Sequence, residues 1–245
     1  MKQNKHFVLI RGLLRDARHW GVFVDCLQQQ FPLAQISTPD IPGNGSRYQL
    51  PSPDTIASMT SDLRQQVKSE APVILIGLSM GGMIASDWMV RYPDEIEASV
   101  LINTSIRSCS PFYQRLRWQI YPDLFKVIFH SAQVREVDIL RLTSNYYPED
   151  TILRQMWQQW QRQSPVSSRS ARNQLLAAMK FALDSKPPHK ILVLTSRGDR
   201  LVNYQCSLAI ARHWATVCVV HPTAGHDLPL DQPVWLGETI KAWFS

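Results

Sequence analysis

An apolar run, Val73 to Ile76, leads straight into Gly77-Leu78-Ser79-Met80-Gly81-Gly82 and then into a helical pattern through Ala85, Trp88 and Met89. No other stretch restricts the fold of this chain as much. A strand that becomes a helix within so few residues needs backbone room, and glycines two positions either side of the serine provide it. Side chains there would collide in a turn tight enough to lift the serine hydroxyl clear of the main chain. The helix start also carries backbone N–H groups with no intrahelical partner, which favour an anion forming beside Ser79. The pattern marks Ser79 as a candidate nucleophile and the Met80 N–H as one donor to a developing oxyanion.

The surrounding rhythm predicts an α/β fold. Short β-rich runs, Phe7 to Ile10, Ala34 to Ser37, Val73 to Ile76 and Ala98 to Ile102, are separated by helix-length segments, as in a parallel sheet with crossover helices. The rhythm resumes with Lys190 to Thr195 and Thr216 to Val220 around a helical stretch at Tyr204 to His213, and a last helix ends at Trp243. Between Thr104 and His189 the strand signal vanishes. Leu153, Met156, Trp157 and Trp160 fall at helical spacing there, as do Leu175, Leu176, Met179 and Leu183, with Ser167-Ser168-Arg169-Ser170 available to cap the second helix. The expected organisation is an α/β core of residues 1–103 and 190–245 with a helical cap, 104–189, inserted into it. At 245 residues and 44% hydrophobic content, the chain can bury one large core, and both stripes are expected to pack against it.

A serine hydroxyl is a weak nucleophile and needs a base, which in turn needs a partner to hold its tautomer. Of the seven histidines, His6, His19, His130, His189, His213 and His221 lie in or beside expected strands and helices. His226 instead lies in Thr223-Ala224-Gly225-His226-Asp227-Leu228-Pro229, a loop between the last strand and the last helix, where a residue projects from the top of the sheet. Asp199, in Ser196-Arg197-Gly198-Asp199, likewise crowns a strand and is the favoured acid. Asp227 adjoins His226, but neighbouring side chains in a loop diverge. A second oxyanion donor is expected from the loop after the first strand, Arg11-Gly12-Leu13-Leu14, with the Leu13 N–H chosen.

Charge is uneven. Residues 104–189 hold 12 Lys+Arg against 6 Asp+Glu, so the net charge of +6 resides entirely on the insert. No basic cluster or binding motif points to nucleic acid, and an acidic protein partner is expected instead. The apolar runs are far shorter than the roughly 20 residues needed to cross a bilayer, and the N-terminus shows no signal-peptide core, so a cytoplasmic protein with no membrane partner is expected. Cys26, Cys109, Cys206 and Cys218 lack the spacing of a zinc site or redox motif and read as free buried thiols; no metal or cofactor is expected.

The chain order Ser79, Asp199, His226, with an insertion after the strand that follows the serine helix, resembles the α/β-hydrolase superfamily of serine hydrolases. Asp40-Ile41-Pro42-Gly43-Asn44-Gly45-Ser46 resembles its loop after the next strand, and Arg91-Tyr92-Pro93 the end of its nucleophile helix. Two departures stand out. Arg11-Gly12 replaces the usual His-Gly, and the family's leading antiparallel strands have no counterpart before Phe7. The resemblance implies a carboxylesterase or thioesterase. Within the superfamily, size and an arginine-bearing cap are similar to the carboxylesterases that cleave the methyl ester of pimeloyl-acyl carrier protein. That likeness implies a carrier-bound acyl ester as substrate and acyl carrier protein as partner, met by Arg115, Arg117, Arg135, Arg141, Arg154 and Arg162. Phe112, Tyr113, Phe125, Trp157 and Trp160 are expected to form an apolar underside of the cap, facing an acyl chain. Fold and triad do not fix the bond broken. A binding protein whose oxyanion loop is disabled by Arg11, and a lyase or haloperoxidase-like triad enzyme, remain open.

Overall fold

The computed structural model describes residues 4–123 and 132–245; Phe125 and His130 lie outside the described residues. The strands are β1 (His6–Ile10), β2 (Gln35–Ser37), β3 (Val73–Leu78), β4 (Ile96–Ile102), β5 (Lys190–Ser196) and β6 (Val217–His221). The helices are α1 (Phe23–Gln30), α2 (Ile56–Gln66), α3 (Met80–Arg91), α4 (Phe112–Arg115), α5 (Ala132–Thr143), α6 (Thr151–Gln163), α7 (Ser168–Lys180), α8 (Gln205–His213), α9 (Leu228–Asp231) and α10 (Pro233–Phe244). Every strand expected from the sequence is present, its ends within two residues of the expected ones.

The six strands form one sheet in the order β2-β1-β3-β4-β5-β6, and every neighbouring pair is parallel. A parallel sheet covered on both faces demands apolar residues on both sides of each strand, and β1 and β3 supply them. Phe7, Leu9, Ile74 and Ile76 pack with Phe23 and Leu27 of α1 and with Leu236 and Ile240 of α10. Val8, Ile10 and Leu75 point the other way, into Met59 and Leu63 of α2, Ile84 and Trp88 of α3 and Ile210 of α8. The chain order reverses at β1, which has β2 on one side and β3 on the other, so the carboxyl ends of β1 and β3 frame the crevice where such sheets bind ligands.

Between β4 and β5 the described residues form helices and no strand, with α5 and α6 packed together. Asp150 caps α6 by accepting from the Leu153 N–H at 2.8 Å, and Ser167 caps α7 by accepting from the Ser170 N–H at 3.1 Å. The buried face of α7 differs from the expected stripe. Leu175 and Met179 are exposed, while Ser170, Gln174 and Ala177 are buried, with Phe181 just beyond the helix. This face meets loops at the top of the sheet, whose backbone groups need polar partners more than apolar ones. On α6 only Trp157 is fully buried, and Met156 is exposed. No described helix is long and apolar enough to cross a membrane.

Asn103, directly after β4, joins the strand ends. It adopts φ 45°, and its buried side chain donates to the His226 carbonyl at 2.8 Å while accepting from Thr195 Oγ1 at 3.0 Å and the Ser196 N–H at 3.1 Å. Asn103→Ala strands these groups in the interior and is expected to cost about 2–4 kcal/mol in urea denaturation. Asn103→Gly accepts the left-handed backbone without strain and should lose about 1 kcal/mol less.

Candidate active site

Ser79 is the residue between β3 and α3, with φ 57° and ψ −119°, a conformation that costs a non-glycine residue on the order of 1–3 kcal/mol. Its neighbours hold it there. The Ser79 N–H donates to the Ile102 carbonyl at 2.8 Å, and its own carbonyl accepts from Thr104 Oγ1 at 2.7 Å and the Gly82 N–H at 2.9 Å. A Cβ on Gly81 would stand 2.0 Å from the Ile10 carbonyl oxygen, so only glycine lets the turn lie this close to the end of β1. A Cβ on Gly12 would fall 3.5 Å from Ser79 Oγ, which puts the loop after β1 directly against the half-buried serine.

The turns after β5 and β6 bring Asp199 and His226 together. His226 Nδ1 lies 2.7 Å from Asp199 Oδ2, with the two residues 5% and 1% exposed. The other carboxylate oxygen of Asp199 accepts from the N–H groups of Leu201 at 2.8 Å and Val202 at 2.9 Å. With Nδ1 engaged by an anchored carboxylate, Nε2 is the ring nitrogen left for proton transfer.

Asp227 turns to another partner. Both its oxygens accept from buried Arg11, at 3.1 and 2.6 Å, and the guanidinium lies 5.0 Å from the Trp20 ring centroid. Arg11 therefore spends its charge in tying the loop after β1 to the loop that carries His226. Burial pushes the Asp227 carboxyl up, but the Arg11 guanidinium, with His19 and His226 adding to it, holds it below the ordinary carboxylate value.

The loop after β1 is held from above as well. Leu14 has φ 60°, and its N–H donates to Gln174 Oε1 at 2.9 Å; the Gln174 amide nitrogen donates to Asn44 Oδ1 at 2.7 Å and Ser52 Oγ at 2.8 Å. This fully buried glutamine of α7 thus connects the inserted segment, the loop after β1 and the loop after β2. Sequence reasoning missed it, because α7 also carries Ser168, Arg169, Ser170, Arg172, Asn173 and Lys180, and nothing in the sequence singles out Gln174 among them. The N–H groups of Leu13 and Met80 donate to no acceptor among the described residues.

Other candidates are placed differently from expectation. Trp157 is buried, edge-on to His19 at 5.0 Å with the Arg15 guanidinium 4.7 Å from its ring, and Trp160 meets His19 at 5.1 Å. Arg15 in turn pairs with buried Glu136 at 2.9 Å. These contacts seat α6 against the segment that follows β1. Phe112 and Tyr113 are 73% and 49% exposed, ring against ring on the outer surface, because α4 is a single turn with no buried residue.

Four of the six arginines have internal work. Arg115 donates to the Ala178 and Met179 carbonyls at 2.6 and 3.0 Å, and Arg117 to the Asp199 carbonyl at 2.9 Å. Arg141 pairs with Glu149 at 2.9 Å, and Arg154 reaches Glu149 and the Pro148 carbonyl. Arg162 is exposed and Arg135 half-buried, neither with a partner among the described residues. The cysteines are free; Cys206 is buried and the others half-buried, and burial pushes the Cys206 and Cys218 thiols up to about 11. Among the described residues no cluster of His, Cys, Asp and Glu could hold a metal.

A parallel sheet of this order, with a serine at the turn after β3 and a hydrogen-bonded His–Asp pair on the turns after β5 and β6, has the form of an α/β hydrolase. Residues 7–239 match the model of the Alpha/beta hydrolase family, and the chain belongs to that family. Among curated relatives, it is 34% identical over 89 residues to the pimeloyl-[acyl-carrier protein] methyl ester esterase of Chromobacterium violaceum, a match covering 36% of this chain and about a third (34%) of that esterase. It is 26% identical over 219 residues to the provisionally named carbamate hydrolase RutD of Yersinia enterocolitica, covering 84% of this chain and 75% of the relative. The structure of a thermophilic esterase from Thermogutta terrifontis shares the fold, with a TM-score of 0.77 at 21% identity over 99% of this chain and 90% of that one.

The Arg11–Asp227 pair sets a measurable acid dependence. Because the folded-state value of Asp227 is lowered, its stabilisation is complete above about pH 4, the ordinary carboxylate range, and is lost as pH falls toward the lowered value. Asp227→Asn leaves Arg11 buried without a counter-charge and should cost about 3–5 kcal/mol in urea denaturation at neutral pH. Arg11→Met with Asp227→Leu should recover most of that loss and remove this part of the decline below pH 4.

Proposed function

We propose that the protein hydrolyses acyl esters or thioesters, with Ser79 as nucleophile, His226 as general base and Asp199 as its orienting acid. The observation that carries this reading is the buried 2.7 Å bond from His226 Nδ1 to a carboxylate itself held by two backbone N–H groups, on turns at the same carboxyl edge of the sheet as the strained serine. Ser79 Oγ attacks the acyl carbonyl while His226 Nε2 takes its proton. The tetrahedral oxyanion accepts from the Leu13 and Met80 N–H groups, which have no competing acceptor among the described residues. Asp199 stays ionised and stabilises the imidazolium. The imidazolium then protonates the departing alcohol or thiol, leaving an acyl group on Ser79. Water, deprotonated by His226, attacks that acyl group, and collapse of the second tetrahedral adduct releases the acid and restores the serine.

Residues 104–189 act as a cap over this site, with Gln174 fastening it to the oxyanion loop. The partial likeness to an esterase acting on pimeloyl-[acyl-carrier protein] methyl ester supports a narrower reading, a carrier-bound acyl ester, with the positive excess of residues 104–189 meeting an acidic carrier. Of the six arginines considered for that contact, Arg162 is the exposed one not engaged by a described neighbour.

Hydrolysis of p-nitrophenyl esters of increasing chain length tests the activity. Ser79→Ala is expected to lower kcat by about 10⁴-fold or more. Comparable turnover in the variant would remove Ser79 from the mechanism. A preference for methyl esters carried on acyl carrier protein, weakened by Arg162→Glu, would support the narrower reading, and indifference to the carrier would end it.

A further inference from the structure

We infer that Asn145 of the cap is a positioning residue for the acid–base pair, its one side-chain amide holding the turn that carries Asp199 against the turn that carries His226. The inference rests on the catalytic reading above. Asp199 and His226 stand on separate irregular turns, and a 2.7 Å bond between them survives only if the two turns keep register. At the roots of the turns, the Arg197 N–H reaches the His221 carbonyl at 2.9 Å and Ser196 Oγ bonds the Ala224 carbonyl. Asn103 ties the Thr195 hydroxyl and the Ser196 N–H at the end of β5 to the His226 carbonyl, but none of these bonds joins Gly198 to Thr223. Asn145 Nδ2 fills that place, donating to the Gly198 carbonyl at 2.9 Å and to the Thr223 carbonyl at 2.9 Å.

Asn145 is itself fixed. Its backbone N–H donates to buried Asp231 Oδ2 at 2.9 Å, the same oxygen that accepts the Gly225 N–H at 2.6 Å, and the neighbouring Ser144 hydroxyl reaches Asp231 Oδ1 at 2.5 Å. The Asp227 N–H donates to the Thr143 carbonyl at 2.8 Å, and Arg200 donates to the Ser144 carbonyl at 2.9 Å. Residues 143–145 are thus bonded to both catalytic turns at once. A carbonyl pair facing one amide admits no second acceptor, so replacing the donor by an oxygen pushes the turns apart.

The test uses Asn145→Ala, which removes both bonds, and Asn145→Asp, which keeps the shape and turns an acceptor toward two carbonyls. The readouts are kcat and KM on one p-nitrophenyl ester, the melting temperature, and the low-field proton of His226 Nδ1 in histidine-labelled protein. The expected result is a fall in kcat of about 10- to 100-fold, larger for Asp, with KM within about twofold and the low-field resonance broadened or lost. A stitch that served stability alone would lower the melting temperature while leaving kcat and that resonance unchanged well below it, and this result overturns the inference when Ser79→Ala is inactive. Activity retained in Ser79→Ala overturns the catalytic reading and this inference with it. If Asn145→Asp does not fold, Asn145→Ser carries the same readouts.

Discussion

The backbone of the turn after β3 lies against the end of β1 with no space for a side chain between them: a Cβ on Gly81 would meet the Ile10 carbonyl at 2.0 Å. That contact sets the arrangement of everything above the sheet. It forces the chain at Ser79 into a left-handed conformation, starts α3 at once, and brings the loop carrying Gly12 and Leu13 beside the serine hydroxyl. Because β1 and β3 are also the strands at which the chain order reverses, the crowded turn lies at the position where parallel sheets of this kind bind ligands. The strain at Ser79 persists because the Ile102 carbonyl, Thr104 and Gly82 each take up one of its backbone groups.

Above this turn, the loops are ordered by buried polar side chains more than by apolar contact. Asn103 binds the ends of β4 and β5 to the His226 carbonyl, Gln174 binds α7 to the loops after β1 and β2, and Arg11 binds the loop after β1 to Asp227. Each replaces backbone pairing that irregular loops lack, and each leaves unpaired groups in a dry interior when it is removed. The proposed site consequently draws on residues from both sides of the segment between β4 and β5. Asp199 and His226 lie after it, and Leu13 and Ser79 before it. Gln174 within it ties the loop of Leu13 to the rest.

The strands, and the placing of Ser79, Asp199 and His226 on turns after strands, were legible from sequence because they follow from short-range rules. Apolar runs of strand length and turn residues at strand ends are local signals, and the three polar residues each follow a strand by only a few positions. The face of α7 was not legible. Its leucines and methionine suggest a helix packed on an apolar sheet, but the helix docks on loops, so Ser170 and Gln174 go inward and Leu175 and Met179 outward. The tryptophans of α6 show the same limit: helical spacing marks a packed face without saying that it meets His19 and Arg15. Counting arginines likewise could not reveal that Arg115 and Arg117 are spent on carbonyls inside the protein. Arg11 stood out as a departure from the family's histidine, yet its partner Asp227 is 216 positions away, beyond any local rule.

The central claim is that Ser79 is a nucleophile activated by His226 under the direction of Asp199. The most direct measurement is mass-spectrometric mapping of the adduct formed with a fluorophosphonate, with labelling rates compared between wild type, His226→Ala and Asp199→Ala. The account predicts one adduct, on the peptide containing Ser79, formed much more slowly in both variants. An unlabelled Ser79 in the wild type, or a labelling rate indifferent to His226, would contradict it.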